Sequence, residues 1–149
     1  MTVDSQSDPF DLHRFVDAQQ GRIDSIFEEL RAGRKSGHWM WYVFPQVLGL
    51  GSSPAAARYA IRSSDEARAY LAHDVIGPRL VKCTQLVIDC GTLDVDLIFG
   101  CPDNLKFRSC MTLFNEVSDN GGNVFASALS RFFDGRTDRR TLEFLARTS

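Results

Sequence analysis

The apolar residues of the N-terminal part recur every three or four positions, which is the period of an amphipathic helix. The positions of this stripe are Leu12, Phe15, Val16, Gln19, Ile23, Ile26, Phe27 and Leu30. The stripe predicts one long helix, or two stacked helices separated near Gly21. Gly33 then stands where a residue in the left-handed conformation commonly ends a helix.

Helix-start signals recur along the rest of the chain. In order, they are Ser53-Pro54, Ser63 to Glu66, Gly77-Pro78, Asp103, Asn123 and Asp138. Each combines an N-cap or helix-opening residue with apolar positions at helical spacing after it. Residues 92–99 alternate briefly between apolar and polar, which fits a short strand or a short helix capped at Thr92 or Asp94; we favour the helix. Because β-hairpin signals are lacking, the sequence predicts an all-α fold.

These elements predict a single compact domain of about six to eight helices, with at most one short strand or extended segment near residues 92–99. The chain has 149 residues, the length of one ordinary domain, and 44% of them are hydrophobic, enough for a core that needs no disulfide or metal. Residues 1–8 are polar. We therefore expect residues 1–8 to be a disordered tail and residues 9–149 to form the domain.

Charge and hydropathy exclude several classes of protein. The formal net charge of −2 argues against general nucleic-acid binding, which usually needs a basic domain. The sequence contains no signal-peptide pattern and no apolar run of membrane-spanning length, so we expect a cytoplasmic protein without membrane contact. Cys83, Cys90, Cys101 and Cys110 fit reduced thiols in that compartment and lack the paired spacing of zinc ligands. We expect no metal and no cofactor.

The segment His38–Gln46, HWMWYVFPQ, is dense in aromatic side chains, and two interpretations explain it. As a helix it is apolar on nearly every side, which is typical of a segment buried between other helices. Alternatively, one edge of it forms a pocket floor, where Trp39 or Trp41 stacks on a planar ring and His38 and Gln46 lie at the two ends. A lone histidine is more commonly a hydrogen-bonded structural residue.

Basic residues near two predicted helix starts are a second candidate feature. Arg79 falls in the first turn of one helix, and Lys106 and Arg108 fall in the first two turns of another. A cation there costs about 0.3–1 kcal/mol, because that end of a helix is already positive. Either neighbouring carboxylates neutralise these charges or an anionic ligand binds among them. Arg34 and Lys35, directly before the aromatic segment, extend the basic set.

Few residues are candidates for chemistry. Asp103 is the acid beside the basic set, so it is the candidate for acid–base catalysis, with His38 second; a role as a helix cap would by itself explain Asp103. Ser109 and Thr112 lie three apart on one helix and are candidates for ligand binding, but no nucleophile-elbow motif surrounds them. Cys110 is expected to face the core, where a thiol is unreactive.

Five stretches of the chain carry a family resemblance. They are DPFDLHRFVDAQ (8–19), ELRAGRKSGHWMWYVFPQ (29–46), YAIRSSDEARAYLAH (59–73), GPRL (77–80) and IFGCPDNLKFRSCMTLF (98–114). They resemble the family called domain of unknown function 1810, from roughly Asp8 to Phe133. The resemblance implies a mainly helical, largely bacterial protein with no assigned activity. Some members carry a calpastatin-like label, yet inhibitor peptides of that type are disordered and this composition is not.

The chain departs from the family pattern at two pairs. Asp103-Asn104 stands where the family has a doubled acid, and Ser109-Cys110 stands where it has a doubled serine. Any chemistry that the family performs at the second position of either pair is therefore in question here.

Two functions from different classes fit these residues. The first is a pocket where the aromatic segment meets residues 102–112, binding an anionic, partly planar molecule of the nucleotide or ADP-ribose class. If this pocket is catalytic, hydrolysis or group transfer at a glycosidic or phosphate centre is expected. The alternative is a protein-interaction or self-association module without chemistry, in which the protein forms a homo-oligomer through the same residues.

Overall fold

Helices make up most of the protein. The computed structural model describes residues 8–119 and 123–148, and the statements below concern these residues. The helices are α1 (His13–Gln19), α2 (Ile23–Arg31), α3 (Met40–Val43), α4 (Pro54–Arg58), α5 (Ser64–Ala72), α6 (Ile76–Asp89), α7 (Val95–Phe99), α8 (Asp103–Val117), α9 (Val124–Phe133) and α10 (Arg139–Thr148). Extended pairing among the described residues is limited to one parallel bridge between Val47 and Ile61.

The predicted all-α fold in one compact domain is confirmed. The described residues form ten helices, more than the expected six to eight; the N-terminal stripe forms two of them, α1 and α2, and α3, α4 and α7 have only four or five residues each. Helices this short leave no periodicity to read in a sequence. Residues 92–99 contain α7, and the Asp94 carboxylate caps it by accepting a hydrogen bond from the Asp96 N–H at 3.0 Å.

The N-terminal boundary differs from the expectation. Asp8 was expected in the tail, but its carboxylate accepts hydrogen bonds from the N–H groups of Leu12 at 2.8 Å and His13 at 3.0 Å. Asp8 therefore belongs to the folded domain and holds the start of α1. Residues 1–7 of the expected tail lie outside the described residues.

Most predicted helix ends are confirmed, and one is wrong. Ser53, Ser63 and Asn123 each accept a hydrogen bond from the N–H three residues on. Gly33, after the end of α2, has a φ of +74°, in the left-handed region. Asp103, by contrast, is the first residue of α8 and makes no cap, since Pro102 occupies the N-cap position.

The core centres on α8, which packs against α5, α7, α9 and α10. Its side chains Phe107, Cys110 and Phe114 are fully buried. The Phe107 ring lies 5.1 Å from that of Phe44 and 4.8 Å from that of Phe99. This aromatic junction joins the end of the HWMWYVFPQ segment to α7 and α8, so residues far apart in sequence meet at the start of α8. Among the described residues, no helix combines the length and apolarity needed to cross a membrane.

A buried arginine ties α1 to the chain between α4 and α5. The Arg14 guanidinium donates to the carbonyl oxygens of Arg58 at 2.8 Å and Ala60 at 2.9 Å, and to the Glu66 carboxylate at 2.8 Å. It also donates to the carbonyl oxygens of Phe10 and Asp11. Every N–H of the guanidinium can thus be satisfied by protein.

Removing Arg14 should destabilise the protein strongly. Arg14→Met leaves the Glu66 carboxylate, which is 3% exposed, without its counter-ion, and breaking such a buried pair costs about 3–5 kcal/mol. Arg68→Met removes an exposed pair with Asp65 and should cost about 1 kcal/mol or less. Urea unfolding at pH 7 measures both. Equal losses in the two variants would contradict a structural role specific to Arg14.

The buried thiol of Cys83 should make stability fall in alkaline solution. Burial raises the pKa of Cys83 to about 12, whereas a thiol in the unfolded chain ionises near pH ~8.5. Between these values the unfolded state releases a proton that the folded state keeps. The free energy of unfolding therefore falls as pH rises through this window, by roughly 1 kcal/mol per pH unit for this thiol.

Denaturant unfolding between about pH 9 and about pH 11, inside the window in which this thiol contributes, checks this slope. Cys83→Ala should lessen it, and Cys101→Ala, which removes an exposed thiol, should leave it unchanged. An unaltered slope in Cys83→Ala would show that other groups cause the alkaline loss.

Candidate functional site

The HWMWYVFPQ segment serves both the core and a cavity wall. Its central helix α3 is short, and Trp39, at 3% exposed, packs in the core together with Phe44. Trp41 and Gln46 are half-buried and line a cavity. His38 is exposed. The two interpretations of this segment therefore apply to different side chains within it.

Glu29 fixes Trp39 in its buried position. Its Oε1 accepts hydrogen bonds from the Trp39 indole N–H at 2.9 Å and from the N–H groups of Ser36 at 2.7 Å and Gly37 at 3.0 Å. Burial opposes ionisation of this carboxyl, but the hydrogen bonds from Gly37, Ser36 and Trp39 outweigh it and lower the pKa of Glu29. Trp39 is thus a structural anchor, and its ring is not available for stacking on a ligand.

Asp103 lies between two lysines. Its Oδ2 is 2.9 Å from the Lys35 ammonium and its Oδ1 is 3.3 Å from the Lys106 ammonium. The Lys35 ammonium lies over the Trp39 ring and the Lys106 ammonium over the Trp41 ring, each 5.2 Å from the ring centroid. The aromatic segment and the start of α8 are therefore in direct contact, as the predicted pocket requires.

The two lysines differ in how far their ammonium groups remain accessible to a ligand. The Lys35 side chain is 8% exposed, and its ammonium also donates to the Gly37 carbonyl oxygen, so its hydrogen bonds are largely made within the protein. The Lys106 side chain is 23% exposed and lines the cavity. Asp103 holds the Lys106 ammonium beside Trp41.

The cavity has a volume of about 470 Å³ and lies between the segment 41–56, the first turns of α8 and the start of α10. Its apolar side chains are Trp41, Leu50, Ala56, Pro102 and Leu105. Its polar side chains are Gln46, Ser52, Ser53 and Ser109. Its charged side chains are Lys106, Arg108, Arg140 and Asp138. The cavity thus combines an aromatic and aliphatic wall with three cations and one carboxylate.

Among these cations, Arg108 has the least complete set of hydrogen-bond and ion-pair partners. Its Nε is buried without a hydrogen-bond partner in the described parts of the chain. No carboxylate of the described residues comes within 4 Å of its guanidinium, unlike the pairs found for Lys35 and Lys106. Arg140, on the neighbouring wall, donates only to the Gly49 carbonyl oxygen at 3.1 Å among the groups that are described.

Asp138 supplies the carboxylate of the cavity and is 9% exposed. Its Oδ2 accepts hydrogen bonds from the Ser109 hydroxyl at 2.9 Å and from the Thr141 hydroxyl. Its backbone N–H donates to the Thr112 hydroxyl oxygen at 2.9 Å, and that hydroxyl in turn donates to the Arg108 carbonyl oxygen. This network joins the start of α10 to the cavity-facing side of α8.

The residues proposed from sequence divide into three groups. Those that line the cavity are Trp41, Gln46, Lys106, Arg108 and Ser109. Those that do not line it but bind its lining residues, directly or through one another, are Lys35, Asp103 and Thr112. Those that do not line it are Arg34, His38, Trp39 and Arg79. Arg79 instead donates to the Gln19 side-chain oxygen of α1 at 3.3 Å.

Sequence reasoning missed two charged cavity residues, Asp138 and Arg140. Asp138 was recognised only as the start of a helix, and nothing in the sequence indicates that its side chain reaches α8. Arg140 did carry a usable signal, since it is a cation in the first turn of α10, as Lys106 is in α8. Applying one criterion to every helix start would have found it.

A larger cavity of about 700 Å³ lies on the other side of α4, lined in part by Arg14, Pro54, Ala57, Arg58 and Glu66. Its buried charges, Arg14 and Glu66, already pair with each other. It offers no buried group in need of a partner, so we regard the smaller cavity as the candidate site. Among the described residues, no group of three or more His, Cys, Asp or Glu side chains is arranged to hold a metal ion.

Comparisons with known proteins agree with the fold and leave the activity open. No functionally curated protein matches the chain. The chain is similar to a solved structure, the crystal structure of the conserved hypothetical protein Rv1873 from Mycobacterium tuberculosis, with 55% sequence identity and a TM-score of 0.90. That match covers 93% of this chain and 99% of the other. A family model matches residues 9–145, and the chain therefore belongs to the family described as "Protein of unknown function (DUF1810)".

Proposed function

We propose that the protein binds an anionic, partly planar small molecule of the nucleotide or ADP-ribose class in the cavity between α3, α4, α8 and α10. The buried Nε of Arg108, without an acceptor among the described residues, is the observation that carries this proposal. A buried donor left unpaired costs about 1–3 kcal/mol. A bound phosphate oxygen would remove that cost and pair the guanidinium with a negative charge.

The surrounding charges favour the same ligand. Lys106, Arg108 and Arg140 line the cavity against one carboxylate, so the walls carry a net positive charge. Asp103 keeps Lys106 at the wall, which prepares its ammonium for an anion without a rearrangement. In this proposal Asp103 positions Lys106, and the exposed His38 has no role.

The apolar wall suits the planar part of the ligand. Trp41 lies beside Leu105 and Pro102 on the cavity surface. Stacking of a nucleobase on an aromatic ring contributes about 1–3 kcal/mol. A volume of about 470 Å³ falls within the range of small-molecule sites, which is roughly 300–1,000 Å³.

The alternative of self-association has less support. It relied on the aromatic segment as an apolar surface, but Trp39, Val43 and Phe44 are buried within a single chain. Besides the exposed His38, the segment leaves Trp41, Tyr42 and Gln46 half-buried. Trp41 and Gln46 lie in the wall of a concave site.

Replacing Arg108 should weaken ligand binding and raise stability without ligand. Arg108→Met keeps the aliphatic contacts and removes the unpaired donor, so the ligand-free melting temperature should rise by a few degrees, in line with about 1 kcal/mol. Thermal shifts produced by AMP, ADP, ADP-ribose and inorganic phosphate should shrink or vanish. Arg136→Met, which removes an exposed arginine at the end of α9, serves as the matched control.

Either of two results would overturn the proposal. One is that no compound of the panel shifts the wild-type melting temperature, since a ligand at a hundred times its Kd should add about 2.7 kcal/mol. The other is that a shift persists unchanged in Arg108→Met.

Trp41 should report binding through its fluorescence. A base stacked on this ring should quench its emission, whereas Trp39 is buried and held by Glu29. The chain contains two tryptophans, so Trp39→Phe isolates Trp41 and Trp41→Phe isolates Trp39. Titration with ADP should quench the first variant and leave the second nearly unchanged. Quenching in the Trp41→Phe variant alone would place the ligand elsewhere.

A further inference from the structure

We infer that Asp138 recognises a hydroxyl group of the ligand, so that the site selects ribonucleoside phosphates over phosphates that lack the sugar hydroxyls. This inference rests on the proposed function and assigns a substrate class to the same cavity. Asp138 is a buried carboxylate in a cavity whose other charged side chains are cations. Burying a charged group costs free energy unless it is paired and hydrogen-bonded.

The two oxygens of Asp138 have different surroundings. Oδ2 accepts hydrogen bonds from the hydroxyls of Ser109 and Thr141. Oδ1 accepts none from the residues that the structure describes, although the side chain lines the cavity. A carboxylate has about four lone-pair positions, so Oδ1 retains capacity for a donor from a ligand.

The donor on the ligand is a neutral hydroxyl. None of the described cations lies within 4 Å of the Asp138 carboxylate, yet Arg108, Arg140 and Lys106 share its cavity. A ligand ammonium would gain from Asp138 but would be repelled by these cations, and it would compete poorly with an anion for the same space. A hydroxyl donates to a carboxylate without adding positive charge, and that hydrogen bond is charge-assisted.

The position of Asp138 indicates a sugar hydroxyl. Ser109, its partner, follows Arg108 directly in α8, and Thr112 links the backbone N–H of Asp138 to the Arg108 carbonyl oxygen. The carboxylate and the guanidinium assigned to the phosphate line the same cavity. In a nucleoside phosphate, the sugar is the part bonded to the phosphate, while the base extends away, here toward Trp41.

These hydrogen bonds also fix the conformation of the Asp138 side chain before a ligand binds. Two hydroxyl donors on Oδ2 fix the rotamer, and the backbone hydrogen bond to Thr112 fixes the chain at the start of α10. Oδ1 is thus held in place before the ligand arrives, which reduces the ordering cost of binding.

The test compares ribonucleotides with their dideoxy counterparts. Kd values are measured by isothermal titration calorimetry for ADP, GDP, CDP and UDP and for the 2′,3′-dideoxy form of each, with inorganic phosphate as reference. A hydrogen bond to a charged group corresponds to about a tenfold or greater change in Kd. We expect wild-type protein to bind the ribonucleotides at least about tenfold more tightly than the dideoxy forms.

The Asp138→Asn variant tests whether the Asp138 side chain causes that preference for ribonucleotides. The ratio between the two forms should fall toward one, while inorganic phosphate binds no more weakly, because a negative charge has been removed from the cavity. Asp134→Asn removes the same charge from an exposed residue after α9 and should keep the wild-type ratio. Circular dichroism checks that both variants are folded.

The outcomes separate the inference from the proposed function. Equal binding of ribo and dideoxy forms by wild-type protein overturns the role of Asp138 but leaves the anion site standing, and this comparison needs no variant. A preference that survives in folded Asp138→Asn also overturns the role of Asp138. Binding of none of the nucleotides overturns both the inference and the proposed function.

Discussion

The fold depends on how a buried guanidinium satisfies its N–H donors. Arg14 is 8% exposed and is surrounded by carbonyl oxygens of the chain that precedes α1 and of the chain that precedes α5, together with the Glu66 carboxylate. One of these acceptors is the carbonyl oxygen of Arg58, the last residue of α4. A helix of five residues is not stable alone. Arg14 therefore holds in place the element that forms one wall of the candidate site.

The buried and half-buried charged groups named above fall into two kinds, those paired within the chain and those of the proposed site. Arg14, Glu29 and Lys35 are buried or half-buried, and each has its partners within the chain. Arg108 and Asp138 share a cavity without pairing with each other, and each keeps hydrogen-bonding capacity that the described residues do not use. Such separated opposite charges have a free-energy cost, which the proposed ligand, bearing both an anion and a donor, would offset.

Much of the helical architecture could be predicted from the sequence, because helix ends depend on local chemistry. Ser53, Ser63 and Asn123 cap helices through side chains that contact residues three positions away. The prediction was wrong at Asp103, because Pro102 occupies the N-cap position and the Asp103 carboxylate instead makes a long-range ion pair with Lys35. Such contacts link residues that local patterns do not relate.

The candidate site was predictable only in part, for the same reason. The sequence shows two basic residues, Lys106 and Arg108, near a predicted helix start. It also shows Trp41 within a segment dense in aromatic residues. Trp39 and Trp41 could not be distinguished, since only the position of Glu29 determines which ring is anchored in the core. The reach of Asp138 to Ser109 spans 29 positions and depends on how α10 packs on α8.

Helix α4 lies between the candidate cavity and the larger cavity beside Arg14. Ser53 and Ala56 face the candidate site, whereas Pro54 and Ala57, on the same short helix, face the larger cavity beside Arg14. A displacement of α4 that widens one space narrows the other. If an occupant of one cavity shifted α4, thermodynamic reciprocity would require an occupant of the second cavity to affect the first to the same degree. A helix of only about one and a half turns is thus a wall that the two cavities share.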